Sequence, residues 1–177
     1  MTRSVTTLNQ KVNVSDLASS LKGNKHMSFP VLDDKGYCGT INRIDLIQLL
    51  QHRELFQLPD EPQRTDVLKF HSVHTDKVHD DEDLILDSAI EHGSEKNLYI
   101  LPYTNRSSIA LPDSFSLHRA YLLLRTLGIR VLVLLDDRNM PSGILTRKDL
   151  MGFAVEEKLQ ASITRSLSES DPNSKNQ

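Results

Sequence analysis

The sequence contains one short pattern twice. The first copy runs from Leu32 to Leu46 and the second from Leu135 to Leu150, with one residue inserted in the second copy. Both copies begin with Leu-Asp-Asp, pass through a glycine and end with Arg-x-Asp-Leu. An internal repeat this specific indicates that one folding unit occurs twice, which constrains the fold more than any single motif does.

Each copy reads as a strand that ends in an Asp-Asp turn, a short returning strand and a helix that begins near the Arg-x-Asp. A helix with apolar residues at helical spacing precedes each copy. Asn13 and Ser15 predict the cap of the first helix, and Ser116 predicts the cap of the second. Glycines, Gly23 and Gly128, follow the apolar positions and predict where the helices end. The predicted unit is therefore β-α-β-β-α.

Two further segments predict the first strand of each unit. Val5, Thr6 and Thr7 suit a short strand ahead of the first helix, and the range from Ile109 to Pro112 suits the corresponding strand of the second unit. The fold class predicted from these patterns is α/β (α+β), with two repeats of the same unit.

The repeats divide the chain into four parts. Residues 1–53 form the first repeat and 98–159 the second, while 54–97 form an acidic linker and 160–177 a serine-rich tail. The linker holds 12 Asp or Glu against four Lys or Arg, and we expect linker and tail to be at least partly disordered. Within the linker, Asp83 to His92 predicts one or two amphipathic turns.

The linker also holds several residues that can bind metals. His71, His74 and His79 lie near Asp76 and Asp80 and are readable as metal ligands. Because no regular element fixes their spacing, a solvated acidic loop that happens to contain histidines is the favoured interpretation.

Composition narrows the class of protein. The longest apolar runs are too short to cross a bilayer, and no apolar stretch of signal-peptide type follows Met1. The single Cys38 excludes an internal disulfide framework. We therefore expect a soluble chain in a reducing, cytosol-facing location. The net charge of -3 and the acidic linker argue against general nucleic-acid binding.

The sequence motifs predict a binding site and not a catalytic one. No motif of a nucleophile with its base, a metalloprotease or a phosphate-binding loop is present. Thr146 ends a predicted strand at a helix start, where its hydroxyl and the first amides can hold a phosphate. Asp149, one turn later, can accept hydrogen bonds from the two hydroxyls of a ribose.

A simpler interpretation of Thr146 and Asp149 stays open. Thr-x-x-Asp at a helix start is also a capping box, in which both side chains satisfy backbone amides. The first copy keeps the carboxylate as Asp45 but has Asn42 in place of the threonine, so the two crevices are not expected to be equivalent.

The repeated unit, with its Gly-x-[Ile/Leu]-[Thr/Asn]-Arg-x-Asp-Leu pattern, resembles the CBS domain. More closely, the sequence from Pro112 to Arg130 and the sequence Thr146-Arg-Lys-Asp-Leu150 resemble the cytoplasmic carboxy-terminal region of CLC chloride channels and chloride/proton exchangers. Ser28-Phe-Pro-Val and the range from Leu101 to Ser107 fit that family as well. The resemblance implies a tandem CBS pair packed sheet to sheet, with a nucleotide crevice between the repeats.

The resemblance also implies which residues bind ATP, ADP or AMP. It places the ribose on Asp149, the phosphates near Thr146, Arg147 and Lys148, and Mg²⁺ as a possible companion of ATP. The base then lies against residues of the first repeat. The nine implied nucleotide-binding residues are Val5, Thr6, His26, Met27, Ser28, Thr146, Arg147, Lys148 and Asp149.

The function that the resemblance implies is regulatory. The chain would be the cytosolic part of a CLC membrane protein, forming a homodimer through its CBS domains and biasing chloride transport through a transmembrane domain that is absent here. Two alternatives are a free-standing CBS sensor that regulates a soluble enzyme and a purely structural dimerisation module with an empty crevice. None of the three is an enzyme.

Overall fold

The computed structural model describes residues 5–59 and 81–150. The elements of the first half, in chain order, are β1 (Leu8–Asn9), β2 (Lys11–Asn13), α1 (Val14–Gly23), β3 (Ser28–Asp33), β4 (Gly36–Asn42) and α2 (Arg43–Gln51), followed by a 3-10 turn at Arg53–Leu55. The elements of the second half are α3 (Glu82–His92), β5 (Asn97–Tyr99), a 3-10 turn at Leu101–Tyr103, β6 (Ala110–Pro112), α4 (Leu117–Thr126), β7 (Val131–Leu135) and β8 (Pro141–Thr146). A further helix, α5, begins at Arg147 and is described as far as residue 150.

Two small sheets with the same topology confirm the predicted repeat. The strand orders are β1-β3-β4 and β6-β7-β8. In each sheet the first pair of strands is parallel and the second pair is antiparallel. Even the irregularities match, because the register shifts between Val31 and Leu32 in one sheet and between Leu134 and Leu135 in the other. The duplicated β-α-β-β-α unit therefore folds the same way twice.

The caps of the two equivalent helices differ. Asn13 caps α1 as predicted, because its Oδ1 accepts hydrogen bonds from the amides of Ser15 and Asp16 at 2.9 and 3.1 Å. Ser116 occupies the N-cap position of α4 but its side chain makes no capping hydrogen bond. At the other end of α4, Gly128 has a φ of 68°, a conformation that favours glycine and ends the helix as predicted.

Two predicted elements need correction. Residues Val5 to Thr7 are not a strand; pairing with β3 begins at Leu8, opposite Val31. The segment predicted as one or two turns near Asp83 is α3, an 11-residue helix with Leu86 and Ala89 buried. It packs on α1 and α2, and its buried residues join the hydrophobic core around Val14 and Leu21. The histidine group at 71–79 and the tail after 159 lie outside the described residues.

Each repeat has its own hydrophobic core. The larger core unites both helices and the sheet of the first repeat with α3, and its most buried members include Val14, Leu21, Phe29 and Leu86. The smaller core surrounds Leu124 and Leu132. In the described ranges no helix is long and apolar enough to span a membrane.

Backbone contacts join the two repeats. Thr40 of β4 and Asn105 exchange two hydrogen bonds, of 3.1 Å from the Thr40 amide and 2.8 Å from the Asn105 amide. At the turn of the first hairpin, the Tyr37 amide donates to the Asn139 carbonyl at 3.0 Å. The Tyr37 hydroxyl also lies 2.7 Å from Ser108 Oγ. Direct hydrogen bonds between the backbones of the two repeats thus fix their relative position.

Gly39 permits the approach at Thr40. A Cβ at this position would lie 2.6 Å from the Asn105 carbonyl oxygen and 2.8 Å from Thr104 Cγ2. We expect Gly39→Ala to lower the free energy of unfolding by about 1–3 kcal/mol, since the nearest overpacked atom, the Asn105 carbonyl oxygen, is backbone and cannot move away cheaply. Urea denaturation measures this change.

Gly23 provides the matched control. A Cβ there would meet no atom within 4 Å. At the end of α1, Gly23→Ala should leave stability unchanged or raise it by about 0.4–1 kcal/mol. Equal stability losses in the two variants would show that contact across the repeats is not the cause.

Candidate functional site

A crevice of about 730 Å³ opens between the two repeats. Residues from four segments of the chain surround it: residues 5–6, the loop before β3 with the first residue of β3, the start of β7, and the end of β8 with the start of α5. Its lining residues are Val5, Thr6, Lys25, His26, Met27, Ser28, Arg130, Val131, Ile144, Thr146, Arg147, Lys148 and Asp149. The nine residues that the sequence predicted for nucleotide binding are all among them.

The first repeat contributes a short loop as one wall. The His26 amide donates to Asn24 Oδ1 at 3.1 Å, which holds the loop in a turn. The His26 ring meets Phe29 edge to face, with 6.3 Å between the ring centroids. Met27 is 58% exposed, so the crevice has an apolar lip next to an imidazole. Both groups are suited to contact a flat aromatic base.

On the opposite wall, Thr146 and Asp149 form the capping box considered above. Asp149 Oδ2 accepts hydrogen bonds from the Thr146 amide at 2.9 Å and from its hydroxyl at 2.6 Å, and the Asp149 amide lies 3.4 Å from Thr146 Oγ1. This arrangement orients the carboxylate, and a carboxylate has about four acceptor positions in all. Capping is therefore present and is compatible with a second role for the same group. It also engages the threonine hydroxyl that the sequence assigned to phosphate.

The pKa of the Asp149 carboxyl lies below its usual value. Partial burial acts to raise it, but the influences that lower it, led by the hydrogen bonds from the Thr146 hydroxyl and amide, together outweigh burial. The group is thus ionised at neutral pH, the form that accepts hydrogen bonds from hydroxyls. Its stabilising contribution is present above the unfolded-state pKa and is lost as the pH falls through the lower folded-state pKa.

Arg147 lines the crevice, but its guanidinium group binds backbone elsewhere. Nε donates to the Ile129 carbonyl at 3.2 Å and Nη2 to the Leu124 carbonyl at 3.5 Å. These carbonyls belong to the last turn of α4 and the loop that follows it. Arg147 therefore positions the start of α5 against α4, and the phosphates that the resemblance places near it stay a prediction.

Four lining residues were missed from the sequence, namely Lys25, Arg130, Val131 and Ile144. Arg130 and Val131 precede and begin β7 as Met27 and Ser28 precede and begin β3. Alignment of the repeats would therefore have pointed to this pair. With Lys148, the exposed side chains of Lys25 and Arg130 bring three cations to the crevice, which favours an anionic ligand.

Comparison with known families identifies the repeats. The CBS domain profile matches residues 1–52 and 102–156, which is more than half of the chain. The chain belongs to the CBS domain family. Its two matched ranges correspond to the two β-α-β-β-α units, so the protein contains a tandem CBS pair.

Curated relatives of this CBS pair are CLC proteins. The chain is 31% identical to the chloride channel protein CLC-d of Arabidopsis thaliana over 168 residues, which cover 89% of the chain and 21% of that protein. It is 27% identical to the H⁺/Cl⁻ exchange transporter 7 of Homo sapiens, over 89% of the chain and 20% of that protein. The chain thus spans about a fifth of the length of these relatives.

Solved CBS structures share the fold. CBSX2, solved in complex with AMP, is 21% identical with a TM-score of 0.50, and the match covers 87% of this chain and 90% of that one. The CBS domain of a CBS-domain-containing membrane protein from Sphaerobacter thermophilus is 17% identical with a TM-score of 0.51, over 84% and 80% of the two chains. At these identities the likeness establishes the fold alone.

The first CBS repeat differs from the second at the position of the capping box. Asn42 Nδ2 donates to Asp45 Oδ2 at 3.1 Å, and the Asn42 side chain makes no capping bond to the helix. Neither residue lines the crevice between the repeats. The two CBS repeats are therefore not equivalent here, as the change from threonine to asparagine predicted.

Arg43 connects the crevice loop to α3. Its Nη1 and Nη2 donate to the carbonyls of Asn24 and Leu21 at 2.9 and 2.7 Å, and its Nε donates to Glu82 Oε1 at 2.9 Å. The Arg43 amide also donates to the Met27 carbonyl at 3.0 Å. One buried arginine thus fixes both ends of the loop that carries His26, and a carboxylate of α3 holds that arginine.

Glu82→Gln tests this connection. The neutral amide keeps an acceptor but loses the charge, so we expect a loss of about 1 kcal/mol in local stability, and amide hydrogen exchange at His26 about fivefold faster. Asp87→Asn is the matched control, because Asp87 pairs with Lys22 on the exposed side of the same helix. If exchange at His26 responds equally to both changes, α3 acts as a whole and not through Arg43.

Proposed function

We propose that this CBS pair binds an adenine nucleotide in the crevice between its repeats and thereby regulates a CLC chloride channel or exchanger. The observation that carries the proposal is the meeting of three features in one cavity. These are an apolar wall with an imidazole at His26 and Met27, an ionised carboxylate at Asp149, and cations at Lys25, Arg130 and Lys148. These groups are of the kinds that bind a base, a ribose and phosphates, respectively.

The cavity has a suitable size. Its volume of about 730 Å³ lies within the range of roughly 300–1,000 Å³ that is typical of small-molecule sites. The AMP bound to CBSX2 supports an adenine ligand here by analogy of fold. Mg²⁺ would be carried by the phosphates of ATP, because within residues 5–59 and 81–150 no group of three His, Cys, Asp or Glu is placed to bind a metal.

The proposal gives the chain a regulatory role and no catalytic one. Nucleotide binding can alter transport only by the difference in affinity for two arrangements of the protein, typically ~1–3 kcal/mol. The membrane partner would be the transport domain of the same polypeptide, with the CBS pair at its cytoplasmic face. Relatives about five times longer than the chain support this view.

Self-association through the CBS domains belongs to the proposal as well, but its expected basis needs revision. From the sequence, the apolar helix faces that follow Asn42 and Thr146 predict a homodimer, because together they exceed what one pair of repeats needs to cover. In the structure Leu46, Ile47, Leu49 and Leu50 of α2 are at most 3% exposed, so the chain buries them itself. Sedimentation at micromolar concentration tests for a dimer formed by other surfaces.

A free-standing nucleotide sensor is the second candidate, because CBSX2, which shares the fold, was solved in complex with AMP. Calorimetric titration with ATP, ADP and AMP tests the binding that both candidates share. The absence of heat and of a thermal shift at millimolar nucleotide would leave only the structural module. Nucleotide-dependent chloride transport by the longer protein separates the remaining two.

A further inference from the structure

The crevice loop, residues 24–27, has a cavity on each side. One is the crevice between the repeats, and the other is a cavity of about 370 Å³ lined by residues of α1, the loop, α2 and α3. Lys25 and Met27 line both cavities. Both side chains are exposed, so packing holds neither of them in place. The position of the loop therefore depends mainly on its hydrogen bonds.

These hydrogen bonds converge on Arg43, which lines the second cavity but not the crevice. Its amide donates to the carbonyl of Met27, the last residue of the loop, at 3.0 Å. Its guanidinium donates to the carbonyl of Asn24, the first residue, at 2.9 Å, and to that of Leu21 in α1 at 2.7 Å. Because Arg43 is buried, water does not readily replace it as the donor. Arg43 thus holds the loop without contact to the crevice.

Glu82, in the first turn of α3, holds the guanidinium in turn. Its Oε1 accepts hydrogen bonds from both Nε and Nη2 of Arg43. A buried cation that loses its carboxylate partner is unfavourable and moves towards water if it can. If α3 leaves its place on α1 and α2, Arg43 loses this partner, and the loop loses the anchors at its two ends.

We propose that α3 controls the affinity of the crevice for its nucleotide, with Arg43 as the positioning residue. The inference rests on the proposed function, because it concerns the same crevice. In the docked state of α3, Glu82 holds Arg43 and the loop presents His26 to the base. In the undocked state the loop is free, and a nucleotide has to order it at a cost in affinity. Such coupling is reciprocal, so a bound nucleotide favours the docked state of α3.

Charge reversal at Glu82 tests the coupling. Glu82→Lys places a second cation against Arg43 and should favour the undocked state of α3. We expect calorimetric titration of the whole chain to give an ATP dissociation constant at least about tenfold higher than in the wild type. A cation added near the loop would by itself attract ATP, so weaker binding cannot come from the change of charge. Glu82→Gln, which keeps an acceptor, should give a smaller loss in the same direction.

Asp87→Lys is the matched control. It makes the same change of charge on the same helix, but Asp87 pairs with Lys22 of α1 and not with Arg43. Both side chains of that pair are about half exposed, and exposed pairs contribute little to stability. ATP binding to Asp87→Lys should therefore stay within about twofold of the wild type.

Amide hydrogen exchange measures the reverse effect in the wild-type chain. Saturating ATP should slow exchange at Leu86 and Ala89, the buried positions of α3, by about the factor that Glu82→Lys costs in affinity. Neither residue lines the crevice, so the ligand does not protect them directly. Exchange at Leu132, in the core of the second repeat, is the reference for an effect on the whole fold.

Three outcomes would overturn the inference and leave the proposed function in place. In the first, ATP binds Glu82→Lys as tightly as the wild-type chain. In the second, Asp87→Lys weakens binding as much as Glu82→Lys does, which would make a general effect on α3 the cause. In the third, ATP slows exchange no more in α3 than at Leu132. A wild-type chain that binds no nucleotide in the same titration would instead contradict the proposed function, and the inference with it.

Discussion

Replacing Asp149 by alanine is expected to weaken ATP binding about ten- to a hundredfold. In the proposed complex the ribose hydroxyls donate to this carboxylate, and a hydrogen bond to a charged group contributes ~1.5–3 kcal/mol. Its lowered pKa keeps the carboxylate ionised at neutral pH, so the full interaction is present in the wild-type chain. Calorimetric titration of both chains with ATP gives the two dissociation constants directly.

The capping role of Asp149 has to be separated from ligand binding. Removal of the carboxylate also removes the acceptor of the Thr146 amide and hydroxyl, so Asp149→Ala costs about 0.5–2 kcal/mol of helix stability as well. Asp45→Ala is the matched control. It removes the corresponding carboxylate of the first repeat, which accepts a hydrogen bond from Asn42 and lies outside the crevice.

Comparison of ATP binding in Asp149→Ala and Asp45→Ala distinguishes the capping role of Asp149 from its role in ribose binding. Weaker ATP binding in Asp149→Ala, with unchanged binding in Asp45→Ala, supports the ribose assignment. If Asp149→Ala loses stability but binds ATP as well as the wild-type chain does, its carboxylate is a cap and the ribose lies elsewhere. Proportional loss of affinity in both variants would point to a general effect on folding.

The repeat made most of the fold predictable from sequence. Each strand, turn and helix of the unit is predicted twice, once from each copy of the sequence pattern. The structure confirms the unit, including the β-bulges after Val31 and Leu134. Elements that occur once were predicted less well. The extent of α3 was underestimated because its burial depends on α1 and α2, which are distant in sequence.

The start of the chain shows a related difficulty. Val5 and Thr6 are residue types of high strand propensity, but a strand needs a partner, and at this edge of the sheet β3 pairs with Leu8 and Asn9. Both residues nevertheless line the crevice, where the resemblance to CLC proteins implied that they should. Their location was thus predicted from the family and not from local propensity.

Comparison of the two copies also separates positioning residues from candidate ligand contacts. Both copies keep the arginine, as Arg43 and Arg147, and in both it binds the carbonyls at the end of the preceding helix. Because the arginine has the same structural role in both copies, its presence does not show which copy holds a ligand site. Thr146, which replaces Asn42, is the change that distinguishes the capping box of the second copy.

Replacing Arg43 by methionine is expected to produce the largest loss of stability, about 3–5 kcal/mol. Arg43 is 9% exposed, and its loss leaves Glu82 and the carbonyls of Leu21 and Asn24 without their donor. Removing one partner of a buried ion pair typically has a cost of this size. Here Glu82, whose side chain is 23% exposed, is left partly buried without its partner. Urea denaturation gives the difference in free energy of unfolding.

Arg147→Met is the control at the equivalent position. Arg147 is exposed, and its hydrogen bonds to the carbonyls of Ile129 and Leu124 are long, at 3.2 and 3.5 Å. Water can replace a donor at such a site, so the expected loss is about 1 kcal/mol or less. Similar losses for the two variants would contradict the assignment of the larger effect to burial and to α3.

A second substitution apportions the loss at Arg43. Adding Glu82→Leu to Arg43→Met removes the unpaired carboxylate, and replacement of both partners of a buried pair by apolar residues is often close to neutral. The carbonyls of Leu21 and Asn24 still lack a donor, so recovery should be partial, by about 1–3 kcal/mol. Recovery of this size would show that the connection between α3 and the crevice loop is carried by the charge pair. No recovery would assign the whole effect to the carbonyls and not to the charge pair.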